Sequence, residues 1–498
     1  MGIIIRQGIK STSAMYIGGM LGVLNRMFLM PKFLTLEQIG MIDLLFIAGL
    51  LFANIASLGT IGSLVKFYNR YIKQDKLPIF LGHLLTIAGI GIIITSCILY
   101  YFEPEIMRYY SKDSTLVKAY FPYFYVFLLA LFLKGFFANF SLANQRATVP
   151  SVLFDFVFKA AQTILLLLLG YHFLEFGELI FAYSAVYYLL LIILIFYCKK
   201  QFSLKVKFAL GSINKKGKKE VKNYSFFVWF AALSGTITQF IDTAMVGSYQ
   251  GLAMAGVYSI AFNLGQSIEM PKRAISAISL PIIVKHLDNK EYKSVNKLYK
   301  QSSINQGIIG GLFLLLIFIS IDSIFYLLPQ SKNLEIGKNI ALIIGLARFI
   351  DMVTGVNSEI LRSSNKYKFD LFIVGSFIFI SIWLNYILIP KYGIEGAAMA
   401  SLIAILGFNA IRIYLLKHLY GFFPFSKESL KLLFILLLLV ITRYALPQNP
   451  WPSQIGALAY ITMLSSIYGS LFIFITYKWK LSQEWNNLLQ KALQYLKR

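Results

Sequence analysis

The sequence predicts an all-α polytopic membrane protein with about fourteen transmembrane helices, and three observations lead to that fold class. The 498 residues are 58% apolar and only 14% charged, and their mean hydropathy is +0.68. Apolar runs of about 20 residues, the length of a helix that crosses a bilayer, recur along the whole chain. The alternating pattern of a membrane β-barrel is absent from the sequence, so backbone groups within the lipid must be hydrogen-bonded inside helices.

Each predicted span is an apolar run of the length that a membrane helix needs. The fourteen segments are residues 11–31, 39–62, 79–102, 120–141, 150–171, 178–197, 224–247, 251–272, 303–328, 338–359, 368–389, 395–417, 429–446 and 455–477. Because Pro31 and Lys32 follow the first run in place of a small-residue cleavage site, we interpret that run as a membrane helix and not as a signal peptide.

The placement of the 47 Lys and Arg residues predicts the orientation, since cytoplasmic loops carry an excess of basic residues. Thirty-five lie in the tails, loops and span ends on the side of the two termini, eight lie in the opposite loops and span ends, and four lie deeper inside spans. We therefore expect both termini in the cytoplasm. This topology accounts for the net charge of +25, so we expect no nucleic-acid partner.

A basic segment, residues 199–223, follows the sixth span and carries nine Lys residues. It has two interpretations: contact with anionic lipid headgroups, or a linker that fixes the topology. The predicted domains are an N-terminal bundle of helices 1–6 (1–198), this linker (199–223), a C-terminal bundle of helices 7–12 (224–418), and helices 13–14 with a basic tail (419–498).

A weak internal repeat relates the two predicted bundles. An offset of 216 residues aligns Gly40 with Gly256 and Gly49 with Gly265. Repeated halves around a midplane site are a common transporter plan, and an even number of spans in each half predicts parallel repeats with a pseudo-twofold axis along the membrane normal.

Three stretches resemble a known family. "NYILIPKYGIEGAAMASLIA" (Asn385–Ala404), "QFIDTAMVG" with "AGVYSIAFNL" (Gln239–Gly247 and Ala255–Leu264), and the opening "FLTLEQIGMIDLL" are similar to polysaccharide and O-antigen flippases. These belong to the multidrug/oligosaccharidyl-lipid/polysaccharide (MOP) exporter superfamily. The family pattern has an acidic residue followed by Gly at this point. Here Gln38 intervenes, in the order Glu37-Gln38-Ile39-Gly40.

The resemblance implies two six-helix bundles around a cavity that opens to each side in turn. The implied cargo is an oligosaccharide on undecaprenyl pyrophosphate, handed from the cytoplasmic to the outer leaflet of the bacterial inner (plasma) membrane for capsule or O-antigen assembly. The implied partners are membrane lipids, a coupling H+ or Na+, and glycosyltransferases or a polymerase of the same pathway. No cofactor and no metal are expected.

Charged residues inside spans are the candidate site, because each costs from about 2.5 kcal/mol upward in lipid and is expected to face a cavity or a partner. In the first half, Arg26 and its neighbour Asn25 are candidates to line the cavity. The alternative for Arg26 is that its long side chain reaches the membrane interface. Asp155 and Lys159 have the i, i+4 spacing of an intrahelical ion pair, or else serve the cavity. Lys134 is a candidate contact for an entering pyrophosphate.

In the second half, Asp242 aligns with Arg26 at the 216-residue offset, and we expect a coupling or gating role for it, with Glu269 as a second candidate. A buried carboxylate suits a proton carrier because burial favours its protonated form. Near the outer end of the second span, Asp43 is interpreted as interfacial. Four residues of the tenth span fall on one helix face and predict a cavity wall, although the first two are also placed to form a structural pair. They are Arg348, Asp351, Gly355 and Glu359.

Two alternatives stay open. A proton- or sodium-coupled exporter of drugs or metabolites belongs to the same superfamily, although fourteen spans and the "IPKYGIEGAA" stretch favour the flippase. A membrane polysaccharide polymerase or acyltransferase is the enzyme alternative. The sequence offers it no HExxH motif and no large outer loop, so we expect a protein that is not an enzyme.

Overall fold

Every regular element in the part of the chain that the computed structural model describes (residues 2–202, 205–208, 215–447 and 453–496) is a helix. The earlier helices are α1 (Gly2–Leu24), α2 (Met30–Phe33), α3 (Leu36–Ser57), α4 (Thr60–Lys73), α5 (Leu77–Tyr101), α6 (Glu103–Tyr109), α7 (Ser114–Tyr120), α8 (Pro122–Ala143), α9 (Thr148–Ser151), α10 (Phe158–Gly170) and α11 (Phe176–Phe202). The later helices are α12 (Lys215–Gln250), α13 (Leu252–Gln266), α14 (Met270–Asp288), α15 (Tyr292–Leu327), α16 (Ser331–Leu334), α17 (Gly337–Val353), α18 (Asn357–Ser363), α19 (Tyr367–Tyr420), α20 (Lys427–Arg443), α21 (Gln454–Lys478) and α22 (Gln483–Leu496).

Nine of the described helices are long and apolar enough to cross a membrane, and α17 with α18 adds a tenth if this bent pair is one span. The nine are α3, α5, α8, α9 with α10, α11, α12, α15, α19 and α21. Each of the fourteen predicted segments overlaps a helix, and α19 contains two of them because it bends at Gly393, which has a φ of 60°. The all-helical, multi-pass fold is therefore confirmed, and the count of fourteen stays a prediction.

The helices group into two compact units, one that ends at Gly256 and one that begins at Val257. The core of the first unit is rich in phenylalanine, and the second unit has two core clusters, one mainly from α15, α20 and α21 and one from α14, α15, α18 and α19. Representative core residues are Phe80, Phe132, Phe136 and Phe140 in the first unit, and Ile308, Leu439, Leu464 and Phe472 in the second. The predicted domain boundaries, including the linker at 199–223, stay a prediction.

Two polar connections contain helices where the sequence suggested loops, and the first of these helices is amphipathic. Helix α4 buries Leu64, Phe67 and Tyr71, which follow the helical spacing, and exposes Arg70 and Lys73. Helix α14 occupies much of the basic stretch between the eighth and ninth predicted spans. These helices place basic side chains beside the spans and not on free loops.

Two segments of π-helix interrupt the spans of the first unit. Asn25–Leu29 joins α1 to α2, and Val152–Val157 joins α9 to α10. A π-turn adds a residue to the turn, so it shifts the register of the side chains that follow. Both interruptions contain candidate site residues, and they therefore decide which side chains meet.

Candidate functional site

Arg26 lies in the first π-helical segment, and its guanidinium forms an ion pair with the carboxylate of Asp43 on α3. The two side chains are only 12% and 18% exposed. The sequence did not predict this partner for Asp43, which the π-turn and α3 bring against Arg26, and the interfacial position of Asp43 stays a prediction. The pair neutralises two charges that would be costly to bury separately.

Asn25 is 1% exposed and joins the first membrane helix to α10. Its Nδ2 donates to the Lys159 carbonyl at 3.0 Å, and its Oδ1 accepts from the Thr163 hydroxyl at 2.8 Å. Both ends of the amide are thus bound within the protein. Asn25 positions the helix that carries Arg26, and a direct contact between Asn25 and a cargo stays a prediction.

The intrahelical ion pair predicted for Asp155 and Lys159 is wrong. Within the described residues, neither side chain has an oppositely charged partner at an N–O distance of 4.0 Å or less. Asp155 lies inside the π-helical segment Val152–Val157, so the i, i+4 spacing that aligns side chains on an α-helix does not hold there. Lys159 instead donates to Gln162 Oε1 at 3.3 Å.

The two lysines of this region contact aromatic rings. Lys159 Nζ lies 5.8 Å from the centre of the Phe158 ring, and Lys134 Nζ lies 5.6 Å from the centre of the Phe154 ring. Both lysines are within electrostatic range of the Asp155 carboxylate, without ion-pair contact. Since Arg26 is paired with Asp43, this part of the first unit holds a surplus of positive charge at membrane depth, which suits an anionic group.

The second unit holds two parallel ion pairs between neighbouring helices. Arg348 Nη1 on α17 lies 3.1 Å from Glu269 Oε2, and Lys272 on α14 forms an ion pair with Asp351. The alternative that paired Arg348 with Asp351 is therefore wrong. Lys272 was missed because it was assigned to a loop. The signal was the i, i+3 spacing of Glu269 and Lys272, which repeats the spacing of Arg348 and Asp351 with the charges in the opposite order.

An amide-rich network surrounds Asp351. Asn409 Nδ2 donates to Asp351 Oδ1 at 2.9 Å, while Asn409 Oδ1 accepts from the Thr354 hydroxyl at 2.9 Å and from Asn357 Nδ2 at 2.6 Å. The four polar side chains connect α17, α18 and α19. Asn409 was not identified from the sequence, because a single Asn in an apolar span has no motif around it.

The single wall predicted for the tenth span is interrupted. Gly355 has a φ of +67°, and α17 and α18 meet there at a bend of 50°. Glu359 lies beyond the bend and accepts from Ser358 Oγ at 2.9 Å. The prediction of one continuous face through Arg348, Asp351 and Glu359 was wrong, because glycine at positive φ ends the helix between them.

Asp242 is 4% exposed within α12. The coupling or gating roles of Asp242 and Glu269 stay predictions. Within the described residues, no group of three or more His, Cys, Asp and Glu side chains is placed to hold a metal ion.

The second unit also contains an apolar cavity of about 590 Å³. It lies between α15, α17, α20 and the segment before α20. Ile304, Phe349, Phe423 and Leu433 contribute apolar walls, and Ser303 and Lys427 contribute polar atoms. A cavity of this size and lining suits part of a hydrocarbon chain.

A multi-pass helical bundle with charged residues inside its spans defines the class of protein as an integral membrane protein with a polar site among its apolar helices. The chain belongs to the polysaccharide biosynthesis protein family, whose model matches residues 5–287, more than half of the chain. A second family model, MatE, matches residues 228–387.

One curated relative is similar over part of its length, and two solved structures share the fold. Over 183 residues the chain is 20% identical to the Probable flippase AglR of Haloferax volcanii, a match that covers 36% of this chain and only 38% of that relative. The fold superposes on Lipid II flippase MurJ in an inward closed conformation with a TM-score of 0.72, at 16% identity, over 93% of this chain and 98% of MurJ. The fold also superposes on an inward-facing multidrug resistance MATE transporter of the MOP superfamily. The TM-score is 0.59, at 12% identity, over 83% of this chain and 94% of that transporter. The chain is thus a polysaccharide-family member of the MOP superfamily.

Proposed function

We propose that this protein is a flippase that moves a lipid-linked oligosaccharide, carried on undecaprenyl pyrophosphate, from the cytoplasmic to the outer leaflet of the bacterial inner membrane by alternating access. One observation carries the proposal. In the first unit, Lys134 and Lys159 lie at membrane depth with aromatic and amide partners, and no carboxylate reaches either within ion-pair distance among the described residues. The family and two similar proteins, a probable flippase and a lipid II flippase, support the same activity.

The surplus of positive charge favours an anionic cargo. A lysine inside the bilayer costs from about 2.5 kcal/mol upward, and the Asp155 carboxylate can offset only one of the two, so one positive charge requires compensation. A pyrophosphate supplies it, because lysine binds phosphate well as a compact point charge. Arg26 is already held by Asp43, so the two lysines are the first contacts, and Arg26 follows only if the cargo replaces that carboxylate.

Coupling and partners belong to the same proposal. Asp242 is the candidate carrier of H+ or Na+, since a carboxylate that is 4% exposed gains a cation only when the site opens. Both termini are assigned to the cytoplasm from the distribution of basic residues. Glycosyltransferases that build the cargo and a polymerase that consumes it are the expected partners, because the proposed step lies between theirs.

The second candidate function is a cation-coupled exporter of drugs or metabolites. It is favoured by the MatE match over residues 228–387 and by the MATE-like fold. An exporter of amphipathic cations would not benefit from a surplus of positive charge, because like charges repel the cargo in a low-dielectric site. The charge of the preferred cargo therefore separates the two functions.

The deciding experiment uses proteoliposomes and two cargoes. A labelled undecaprenyl-pyrophosphate oligosaccharide and a fluorescent amphipathic cation are tested with the wild type, with Lys134→Met/Lys159→Met and with the control Lys118→Met, which removes an exposed lysine outside the spans. The flippase predicts that the wild type and the control translocate the lipid while the double variant is at least roughly tenfold slower, the factor given by about 1.4 kcal/mol. Movement of the cation but not of the lipid would establish the exporter instead.

A further inference from the structure

The short loop of residues Tyr110–Asp113, between α6 and α7, makes three polar contacts with the last two turns of α12 and the first residue of α13. The Tyr110 hydroxyl donates to the Ala244 carbonyl at 3.1 Å, Lys112 Nζ donates to the Tyr249 carbonyl at 3.1 Å, and the Leu252 amide donates to Asp113 Oδ2 at 2.7 Å. We call these four residues the loop latch. All of these contacts lie within the first unit, at the end of the spans that is predicted to be extracytoplasmic.

The two charges of the loop latch match the dipoles of the helices that they touch. Lys112 binds a carbonyl in the last turn of α12, where a helix carries partial negative charge, and Asp113 binds the first amide of α13, where a helix carries partial positive charge. Burial raises the pKa of the Tyr110 phenol, so its hydroxyl remains a donor. The order Lys-Asp thus fits the order in which the chain leaves α12 and enters α13.

The internal repeat shows why the Asp113 contact is unusual. Helix α3 begins at Leu36 and α13 begins at Leu252, which is the offset of 216 residues found in the sequence. The residue before α3 is Thr35, whose hydroxyl accepts from the Gln38 amide in a capping box. The equivalent residue before α13 is Gly251, which has no side chain. The cap that α3 carries in its own sequence is therefore supplied to α13 by a different segment.

The first turns of α3 and α13 also meet in a reciprocal contact. A Cβ added at Gly40 would lie 2.0 Å from the Leu252 carbonyl oxygen, and a Cβ added at Gly256 would lie 2.4 Å from the Leu36 carbonyl oxygen. Adding 216 to the residue numbers of Gly40 and Leu36 gives Gly256 and Leu252. The two contacts therefore have the form of a twofold-related crossing. The loop latch thus binds α13 at its close crossing with α3.

We propose that the loop latch is a detachable N-cap of α13 that holds the outer ends of α3 and α13 together, and that it must release for the outward opening of the transporter. The inference rests on the alternating access proposed above. Removing an N-cap that belongs to the helix itself would weaken the helix permanently. Because the cap of α13 comes from another segment, α13 loses it only while the latch is open. Closure of the latch and stability of α13 are therefore coupled.

Hydrogen exchange of the Leu252 amide measures the latch without any cargo. Peptides covering 250–256 are compared by mass spectrometry for the wild type, Asp113→Ala and the swap Lys112→Asp/Asp113→Lys, which keeps the composition but opposes both helix dipoles. We expect exchange at least about tenfold faster in both variants, the ratio that corresponds to about 1.4 kcal/mol. Exchange at the wild-type rate in folded variants would overturn the proposal.

A disulfide tests whether the latch must release. A Cβ at Gly251 would lie 3.9 Å from Lys112 Cβ, within the range of a disulfide, so Lys112→Cys/Gly251→Cys is made in a Cys97→Ser/Cys198→Ala background. Gly251→Cys alone controls for strain, since Gly251 has a φ of +96°. We expect lipid movement to stop on oxidation and to return on reduction, and full movement with the bond closed would overturn the latch. A wild type that moves no lipid would instead remove the proposed function, and the exchange data would still decide whether the latch caps α13.

Discussion

At the scale of single residues, Asn25 shows how one amide can fix a membrane helix. Its two hydrogen bonds reach the Lys159 carbonyl and the Thr163 hydroxyl, and Asn25 is 1% exposed. We expect Asn25→Leu to lower the free energy of unfolding by about 1–3 kcal/mol, because it leaves buried polar partners unpaired. Thr163→Val should cost less, because its single hydroxyl proton is shared between Asn25 Oδ1 and the Lys159 carbonyl, and that carbonyl keeps its hydrogen bond from Asn25 Nδ2.

Thermal unfolding in detergent, followed by tryptophan fluorescence, measures both effects. The double variant Asn25→Leu/Thr163→Val should lose less than the sum of the single losses, because the two side chains share one hydrogen bond. Strict additivity would mean that the bond between them does not contribute to stability.

A second residue-scale prediction concerns pH at the turn between α14 and α15, outside the spans. The His286 ring, with Nδ1 2.5 Å from Glu291 Oε2, and then the Asn289 amide lower the pKa of Glu291. A lowered carboxyl pKa stabilises the fold above the ordinary value of about 4.3, and this contribution is lost as pH falls through the folded value. The wild type should therefore unfold at a higher temperature than Glu291→Gln at pH 7, and the difference should shrink as pH falls below the ordinary carboxyl value. A difference that stays constant over that acid range would assign it to another cause.

The candidate residues could be found from the sequence, but their partners could not. Charge inside an apolar run identified Arg26, Lys134, Asp155 and Lys159 without any structure. The partner of Arg26 is Asp43, and the pair expected for Asp155 is lost, both because of π-turns that hydropathy and spacing do not reveal. A one-residue change of helical register alters which side chains meet while leaving the apolar pattern of the span almost unchanged.

At the scale of helices, the two ion pairs between α17 and the start of α14 fix the register of these elements. Glu269 pairs with Arg348 and Lys272 pairs with Asp351, so a slide by three residues would bring charges of the same sign together. We expect Lys272→Met to destabilise the protein by about 3–5 kcal/mol, because Asp351 is left buried without its cation. The exchange Lys272→Asp/Asp351→Lys should recover part of that loss by restoring the attraction.

The matched control for this pair is Arg70→Met, which also removes the cation of an ion pair, but from the pair with Glu220, whose side chains are 45% and 49% exposed. Its effect should stay within about 1 kcal/mol, as for most surface pairs. Equal losses for Lys272→Met and Arg70→Met, measured by thermal unfolding, would contradict a register role for the buried pair.

Helices outside the apolar spans were the least predictable elements. Helix α4 follows directly on α3 and was assigned in part to a span and in part to a loop, since hydropathy detects only continuous apolar runs. Its amphipathic spacing at Leu64, Phe67 and Tyr71 was available in the sequence. The break in the tenth span depends on the positive φ of Gly355. The sequence does not distinguish a glycine with positive φ from one that allows close packing.

At the scale of the whole molecule, composition alone was sufficient for the fold class. A polar backbone in lipid has few solutions, so long apolar runs determine an all-helical protein whatever their detailed packing. The same physics says little about cargo, because apolar surfaces facing lipid dominate the sequence. What distinguishes this transporter is a handful of charges, and their arrangement depends on contacts between helices that are distant in sequence.

The predicted topology is the last property of the whole chain that an experiment can decide. Thirty-five of the 47 basic residues lie on the side assigned to the cytoplasm, which is a strong bias under the positive-inside rule. In a background without Cys97 and Cys198, Lys118→Cys in α7 and Lys491→Cys in α22 place one exposed thiol on each predicted side. A membrane-impermeant maleimide applied to intact cells should label the first variant and should label the second only after permeabilisation. The reverse pattern would invert the topology, and with it the side from which a cargo on undecaprenyl pyrophosphate would enter and the side on which the loop latch lies.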